Sequence, residues 1–429
     1  MTTPTLSFLD GNFAPVTEEV TSIDLPVTGR IPDELVGRLV RIGPNPETPP
    51  DPATYHWFTG DGMVHGVRLD GGRARWYRNR WVRGPAVVNT HVIGVGGRTI
   101  ATVEAGNPPV ELTDELETVG VCDFGGTLDG SFTAHTHADP ATGELHAVTY
   151  HWSWDHIRHV VVGPDARVSR EHHVPVPDAP MVHDCAITGR YVVLYDLPVT
   201  FSMDAAAEGA SLPYRWNPDH APRIGLLPLD GPADAVRWFD APSCFVFHTL
   251  NAYDVTDGGR DQVVIDLVRH PRMFATLLTG PYEGLPSLER WTIDLDAGKV
   301  TTDVLDDRGQ EFPRIDERLT GRPHRYGYTA SFGQGVEHGP ALKHDLATGT
   351  REEHDYGQAR VTLEPVFVPR SSSAAEDDGW VMSYVYDATT DRSDVVILDA
   401  GDFAGEPVAT VHLPVRVPFG FHGSWLPDA

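Results

Sequence analysis

The sequence predicts an all-β fold of short antiparallel sheets set radially around a channel, in the manner of a propeller, and three observations predict it. Short runs rich in Val, Ile, Thr, Tyr and Trp alternate with turns along the 429 residues, for example at 145–150, 160–162, 191–195, 263–267 and 395–398. Continuous helical periodicity is scarce, so strands are the better reading of these runs. Related turn signals recur between them: Leu69-Asp-Gly-Gly, Asp139-Pro-Ala-Thr-Gly, Leu295-Asp-Ala-Gly and Leu346-Ala-Thr-Gly each read as a hairpin loop with glycine at a positive-φ position. The third observation is a set of four histidines, far apart, in unlike and strongly patterned contexts: Ala-His135-Thr-His-Ala-Asp-Pro, Met-Val-His183-Asp, Phe-His248-Thr-Leu-Asn-Ala-Tyr and Phe-His422-Gly-Ser-Trp. No local chelating motif joins them, so an architecture that returns repeatedly to one axis is needed to gather them. Length alone would favour roughly three domains, a soft prior for all-β chains; the sequence offers no linker to cut at, and 1–429 is read as one domain.

Composition narrows the setting. With 33 Lys and Arg against 61 Asp and Glu, the net charge is −28, which favours solubility and argues against nucleic acid or an anionic membrane surface as an electrostatic partner. Cys122, Cys185 and Cys244 are odd in number and lie in apolar strand-like runs, as buried thiols of a reducing compartment do. The first ten residues carry no basic region followed by an apolar run, and no apolar run approaches the ~20 residues of a membrane span. A cytoplasmic protein is expected, with peripheral membrane contact left open.

The four histidines point to metal chemistry. Neutral imidazole is the commonest nitrogen ligand of first-row transition metals, and a dication so held is a strong Lewis acid whose charge its ligands leave uncompensated. Three glutamates sit in apolar or Pro-rich contexts where a free carboxylate is costly to bury: Glu104 in Ala-Thr-Val-Glu-Ala-Gly-Asn-Pro-Pro, Glu311 in Glu-Phe-Pro-Arg-Ile-Asp and Glu364 in Leu-Glu-Pro-Val-Phe-Val-Pro-Arg. The second N–H groups of ligand imidazoles are their natural partners. Such a carboxylate fixes the tautomer, orients the ring and supplies negative charge. His137 competes with His135 as a ligand, and strand alternation does not decide between them. His156, His159, His172 and His173 lie in polar or strand-edge contexts and read as solvated.

Taken in order, eight segments carry a resemblance: 37–46 (Gly-Arg-Leu-Val-Arg-Ile-Gly-Pro-Asn-Pro), 57–65 (Trp-Phe-Thr-Gly-Asp-Gly-Met-Val-His), 134–140, 181–188, 247–253, 311–316, 364–370 and 422–425. The chain resembles the carotenoid cleavage oxygenases, a family that includes apocarotenoid oxygenases, lignostilbene dioxygenases and the retinal pigment epithelial membrane protein. The resemblance implies a seven-bladed β-propeller whose long inter-blade loops form a cap over an axial metal site. The irregular stretch 199–228 reads as part of that cap, with an ordinary surface loop as the competing reading. It implies non-haem Fe(II) bound by His135, rather than His137, with His183, His248 and His422. It further implies that Glu104, Glu311 and Glu364 support His183, His248 and His422 respectively, with no carboxylate behind His135.

The activity implied is oxidative cleavage of a conjugated C=C of a carotenoid or apocarotenoid by O2, giving two carbonyl products without a protein nucleophile or general base. A hydrophobic substrate held by shape makes Phe58, Trp152, Trp154, Phe201 and Trp216 candidate tunnel lining, each with ordinary core packing as its alternative. A stilbene- or phenylpropene-cleaving dioxygenase on the same fold is the main competitor. In that branch a lysine typically precedes the first glutamate and, with a tyrosine, binds the phenol; here that position is Val103, which favours the polyene. A propeller hydrolase would use oxygen ligands around Ca2+, and a binding module has no need of four buried imidazoles, so both are disfavoured. The chain also lacks the Pro-Asp-Pro-Cys-Lys segment of the animal members. One departure stands out: after 78–83 the chain reaches 88–93 almost at once, where relatives have a longer connection, and this bears on tunnel shape and substrate length.

Overall fold

The computed structural model describes residues 8–278, 280, 283–332 and 338–428, so the amino-terminal stretch 1–7 read above lies outside the described residues. Seven antiparallel sheets, blades 1 to 7 in chain order, are arranged around one axis. Blade 1 combines the strands Thr21–Ile23, Gly37–Pro44, Gly62–Asp70 and Arg73–Trp81 with the carboxy-terminal strand Gly423–Pro427. Blades 2 to 6 are four-stranded and begin at the inner strands His91–Val95, Thr136–Ala138, Cys185–Ile187, Phe245–Asp257 and Gln310–Arg314. Blade 7 runs from Arg360–Thr362 to Ala409–His412 and takes Val27–Gly29 at its outer edge. Both chain ends therefore seal the ring: Gly37 pairs with Pro427 and Arg41 with Gly423 in blade 1, while Val27 pairs with Val411 in blade 7.

Face-to-face packing of blades explains the sequence pattern. Middle strands have a neighbouring blade on each face and read as nearly continuous apolar runs, as in Tyr191–Asp196 and Arg392–Asp399, whereas the outermost Lys299–Asp306 is largely exposed. The turns follow their residues. Gly71 and Gly72 occupy φ +57° and +69° between Asp70 and Arg73, the mirror-image turn whose twist matches a hairpin and that a side chain would strain. Gly143, Gly298 and Gly349 take positive φ in the other three hairpin loops. Cys122, Cys185 and Cys244 are buried free thiols.

Two expectations need correction. Residues 223–228 form a middle strand of blade 4, paired with Tyr191–Asp196 and Arg237–Asp240, so the irregular stretch ends before Arg223. What remains of it is a separate two-stranded ribbon, Val199–Phe201 with Tyr214–Trp216, around the short helix Met203–Ala207. His159 is buried, not solvated, because cross-strand register on blade 3 stacks it between two other imidazoles. Its Nε2 lies 3.1 Å from His146 Nδ1 and its Nδ1 3.2 Å from His172 Nδ1. His156 and His172 are half-buried and His173 is exposed. Among the described residues no helix is long and apolar enough to cross a membrane.

Candidate metal centre

The inner strands bring the four histidines together. His135 directly precedes Thr136–Ala138, His183 lies two residues before Cys185–Ile187, His422 directly precedes Gly423–Pro427, and His248 sits inside Phe245–Asp257. At His248 the ladder is irregular between Val246 and Thr249, the kind of local bulge that re-aims a side chain. One ring nitrogen from each histidine lies within 4.8 Å of those of the other three. Ring centroids are 4.3 Å apart for His135 and His183, 4.6 Å for His135 and His422, and 4.7 Å for His248 and His422. Nε2 of His135 and Nε2 of His248 are buried and have no hydrogen-bond partner. Buried ring nitrogens without partners are rare, and here they converge, so the residues fit a metal ion held by four neutral imidazoles.

The three remaining blades supply the glutamates. Glu311 lies in the inner strand of blade 6, Glu364 precedes Val366–Pro369 in blade 7, and Glu104 follows Arg98–Thr102 in blade 2. His248 Nδ1 donates to Glu311 Oε2 at 2.5 Å, and His422 Nδ1 donates to Glu364 Oε1 at 2.9 Å. His183 Nδ1 lies 3.0 Å from Glu104 Oε2. With Nδ1 turned outward to a carboxylate, each ring presents Nε2 to the centre; the tautomer follows from the partner. No carboxylate lies within ion-pair reach of His135 among the described residues.

Each glutamate also has a second partner that sequence reasoning missed. Tyr150 donates its hydroxyl to Glu104 Oε1 at 2.8 Å. His270 Nε2 lies 2.7 Å from Glu311 Oε1, and Arg314 Nη1 lies 3.3 Å from Glu364 Oε1. Nothing local in the sequence marks Tyr150 or His270, since both reach the glutamates through tertiary contact. Phe312 was missed too: Pro313 after it favours extended backbone, so nothing local announces the conformation it takes. Phe312 takes φ +55°, its N–H donates to Glu311 Oε2 at 2.5 Å, and its ring stacks on His248 with centroids 5.5 Å apart. A bulky residue held in the left-handed region beside a candidate centre is strain that the surroundings must enforce.

Burial and the neighbouring imidazoles hold His135 well below the usual histidine range. Burial also brings His422 down to about 3, against the opposing pull of Glu364. At His248 burial is overcome by the charge and hydrogen bond of Glu311, and the pKa rises. Glu311 lies far below the usual carboxylate range although burial alone would raise it, because His248 and His270 donate to it; Arg314 and His422 do the same for Glu364. Elsewhere burial holds His56 and His65 at about 3.

These shifts predict acid lability of the metal-free protein. His56, His65, His135 and His422 stay neutral in the fold and gain protons on unfolding, so their contribution is present above the unfolded value of ~6.5 and is lost as pH falls below it. Glu311 and Glu364 add a further loss below ~4.3, and His248 alone of these acts in the opposite sense. The urea midpoint of metal-free protein should decline steadily from about pH 7 to about pH 4, since the unfolded state binds more protons throughout. A midpoint constant over that interval would contradict the assignment.

An apolar cavity of about 380 Å³ reaches the cluster from one side, with His183, His248 and His422 in its wall. Val103, Phe58 and Trp152 line it, as does Tyr150; Phe247, Phe312 and Phe421 close on the histidines. Trp154 and Phe201 are not in the wall. Trp154 stacks on His156 and under the Arg158 guanidinium, Phe201 packs behind Trp152 at a centroid distance of 5.2 Å, and Trp216 packs against the core of blades 3 to 5. The short connection after Arg83 brings Asn89 to the wall, where its Nδ2 donates to Phe58 O at 2.9 Å and Gly60 O at 2.8 Å and so fixes the loop that carries Phe58.

Comparison with known proteins agrees with this architecture. The family described as retinal pigment epithelial membrane protein matches residues 13–88 and 84–427, two pieces that meet where the connection is short. The carotenoid cleavage oxygenase of Mycobacterium tuberculosis is 45% identical over 98% of this chain and 97% of its own. Among solved structures, the lignostilbene dioxygenase of Pseudomonas brassicacearum superposes with a TM-score of 0.91 at 29% identity over 100% of both chains. The cobalt-substituted ACO of Synechocystis superposes with a TM-score of 0.88 at 27% identity over 96% of this chain and 97% of its own. With its motifs, seven-bladed fold and near end-to-end match in agreement, the chain belongs to the retinal pigment epithelial membrane protein family of carotenoid cleavage oxygenases.

Proposed function

We propose that the protein is a non-haem Fe(II) dioxygenase that cleaves a conjugated C=C of a carotenoid or apocarotenoid with O2, giving two carbonyl products. The observation that carries this reading is the meeting, at one point, of four buried convergent imidazoles and an apolar cavity whose described wall contains no Lys or Arg. His135, His183, His248 and His422 would hold the iron, with Glu104, Glu311 and Glu364 orienting the last three rings and compensating charge. When bound, Fe(II) supplies the electron density that makes O2 reactive toward an alkene.

The chain's own task is positioning. Phe247, Phe312 and Phe421 would hold a flat polyene beside the cluster by dispersion and exclude water from it. Cleaving C=C with O2 places one oxygen atom on each carbon and moves no proton to or from the substrate, so no side chain is needed as acid or base. The ribbon 199–216, which gives Leu212 and Tyr214 to the cavity wall, serves as part of the cap of a single domain sealed by its two ends. The acidic charge and buried thiols support a cytoplasmic enzyme. Trp152 is exposed at the wall, and Met203 is exposed two residues from its stacking partner Phe201; a membrane surface holding dissolved substrate is what they would touch.

Val103 decides between polyene and phenol in this reading. A phenol buried without a partner loses its hydrogen bond to water at ~1–3 kcal/mol, whereas a polyene has no such group to satisfy. Cleavage of a hydroxystilbene is the second reading, favoured by the Tyr150 and Tyr214 hydroxyls in the wall. Comparing kcat/KM for β-apo-carotenals and for resveratrol on iron-loaded enzyme tests the two. We expect a clear preference for the apocarotenals; preference for resveratrol would transfer the enzyme to the second reading and leave fold and metal residues in place.

A further inference from the structure

We propose that the metal ion reaches the four histidines through a second, polar cavity on the propeller axis, and that His137 and Asp184 act there as transit ligands. The inference rests on the metal site proposed above. Two cavities meet at the cluster. The apolar one touches His183, His248 and His422; the other, of about 270 Å³, touches His135, His248 and His422. Its wall includes His137, Asp184, Thr249, Arg314, Glu317 and Glu364. Exposure falls steeply along it: the Glu317 side chain is 70% exposed, His137 22%, Asp184 3% and Glu364 2%. The wall therefore leads from solvent to buried ligand nitrogens, and two of these, His135 Nε2 and His248 Nε2, lack a hydrogen-bond partner.

Desolvation separates the two routes. Moving an ion from water into a medium like a dry apolar interior is strongly unfavourable, and the penalty rises with the square of the charge. The apolar cavity offers a hydrated dication few ligands in exchange for its water: Thr59, Asn89, Asn107 and His151 stand among its rings, and its two carboxylates, Glu104 and Glu311, are already taken up by His183 and His248. The polar cavity offers ligands in sequence. Glu317 sets a negative field at the mouth, although Arg314 pairs with it. Further in, His137 Nε2 lies 2.8 Å from Asp184 Oδ1. With the Cys185 thiol these two form the second cluster of potential ligand atoms within 4.8 Å among the described residues.

The pair is built into the site. Asp184 follows His183 in the chain, and its Oδ2 accepts the N–H of Thr249, the residue after His248, at 2.8 Å. His137 and Asp184 can exchange their shared proton for the cation, releasing the proton to the aqueous cavity, and then yield the cation to the neighbouring four imidazoles. Two ligands hold a cation weakly beside four, which suits transit. This also accounts for the second histidine of the Ala-His-Thr-His segment, which the cluster itself does not use.

Co(II) uptake by metal-stripped, full-length protein, followed by its visible absorption in a stopped-flow instrument, tests the route. In Glu317→Lys, a change at an exposed side chain, and in His137→Ala, initial uptake should slow by at least about tenfold, the lower bound for loss of electrostatic steering and local ligation. Final Co(II) content should match wild type. Filling the apolar cavity with a long-chain saturated alcohol should leave the wild-type rate unchanged. Uptake in both variants at the wild-type rate, or arrest of uptake by the alcohol, would overturn the route. Absence of stoichiometric Co(II) binding in wild type, or its persistence in His135→Ala, would instead overturn the metal site on which the route depends.

Discussion

Replacing any one of His135, His183, His248 or His422 with alanine should abolish turnover and strip the protein of iron. Each removes one of four nitrogens that converge within 4.8 Å, opens a buried site to water and changes its redox balance. The loss should exceed the ~10–100-fold typical of residues one layer further out. His137→Ala keeps its iron at equilibrium, because His137 faces Asp184 and not the four-ring cluster. Iron content is best measured under anaerobic loading with Fe(II) alone, since nitrogen sites favour Ni2+ and Cu2+ over iron when these compete. Loss of iron from His137→Ala with retention in His135→Ala would exchange their roles.

Glu311→Gln is the second large effect expected, a fall of ~10–100-fold in metal affinity or turnover with the fold retained. The carboxylate accepts three bonds, from His248 Nδ1, His270 Nε2 and the Phe312 N–H. An amide offers one oxygen and one NH2 group. If its oxygen faces His248, the NH2 group opposes His270, which must change tautomer. If the NH2 group faces His248, that ring must carry its proton on Nε2 and can no longer ligate. Either arrangement also removes a negative charge from beside a dication. Wild-type affinity and turnover in Glu311→Gln would detach Glu311 from the site and His248 from its proposed support.

Much of this protein was determined by its sequence alone. Hairpin loops such as Asp70-Gly-Gly-Arg73 are local: glycine is admitted at positive φ by its own sterics, and the turn needs no distant partner to be read. The motif residues His135, His183, His248, His422, Glu104, Glu311 and Glu364 could also be named, because their contexts match the family's segment by segment. Tertiary structure alone decided which side chains face which space. Trp152 and Trp154 are two residues apart, yet Trp152 lines the apolar cavity while Trp154 stacks on His156, because loop geometry sets their directions and composition does not. His159 looked solvated and is buried, since the imidazoles that cover it come from the strands on either side. The division of the centre into an apolar side and a polar side, and the outer partners Tyr150, His270 and Arg314, exist only once seven blades close on one axis. Contacts between residues tens to hundreds of positions apart leave no trace in local periodicity, which records only the faces of single strands.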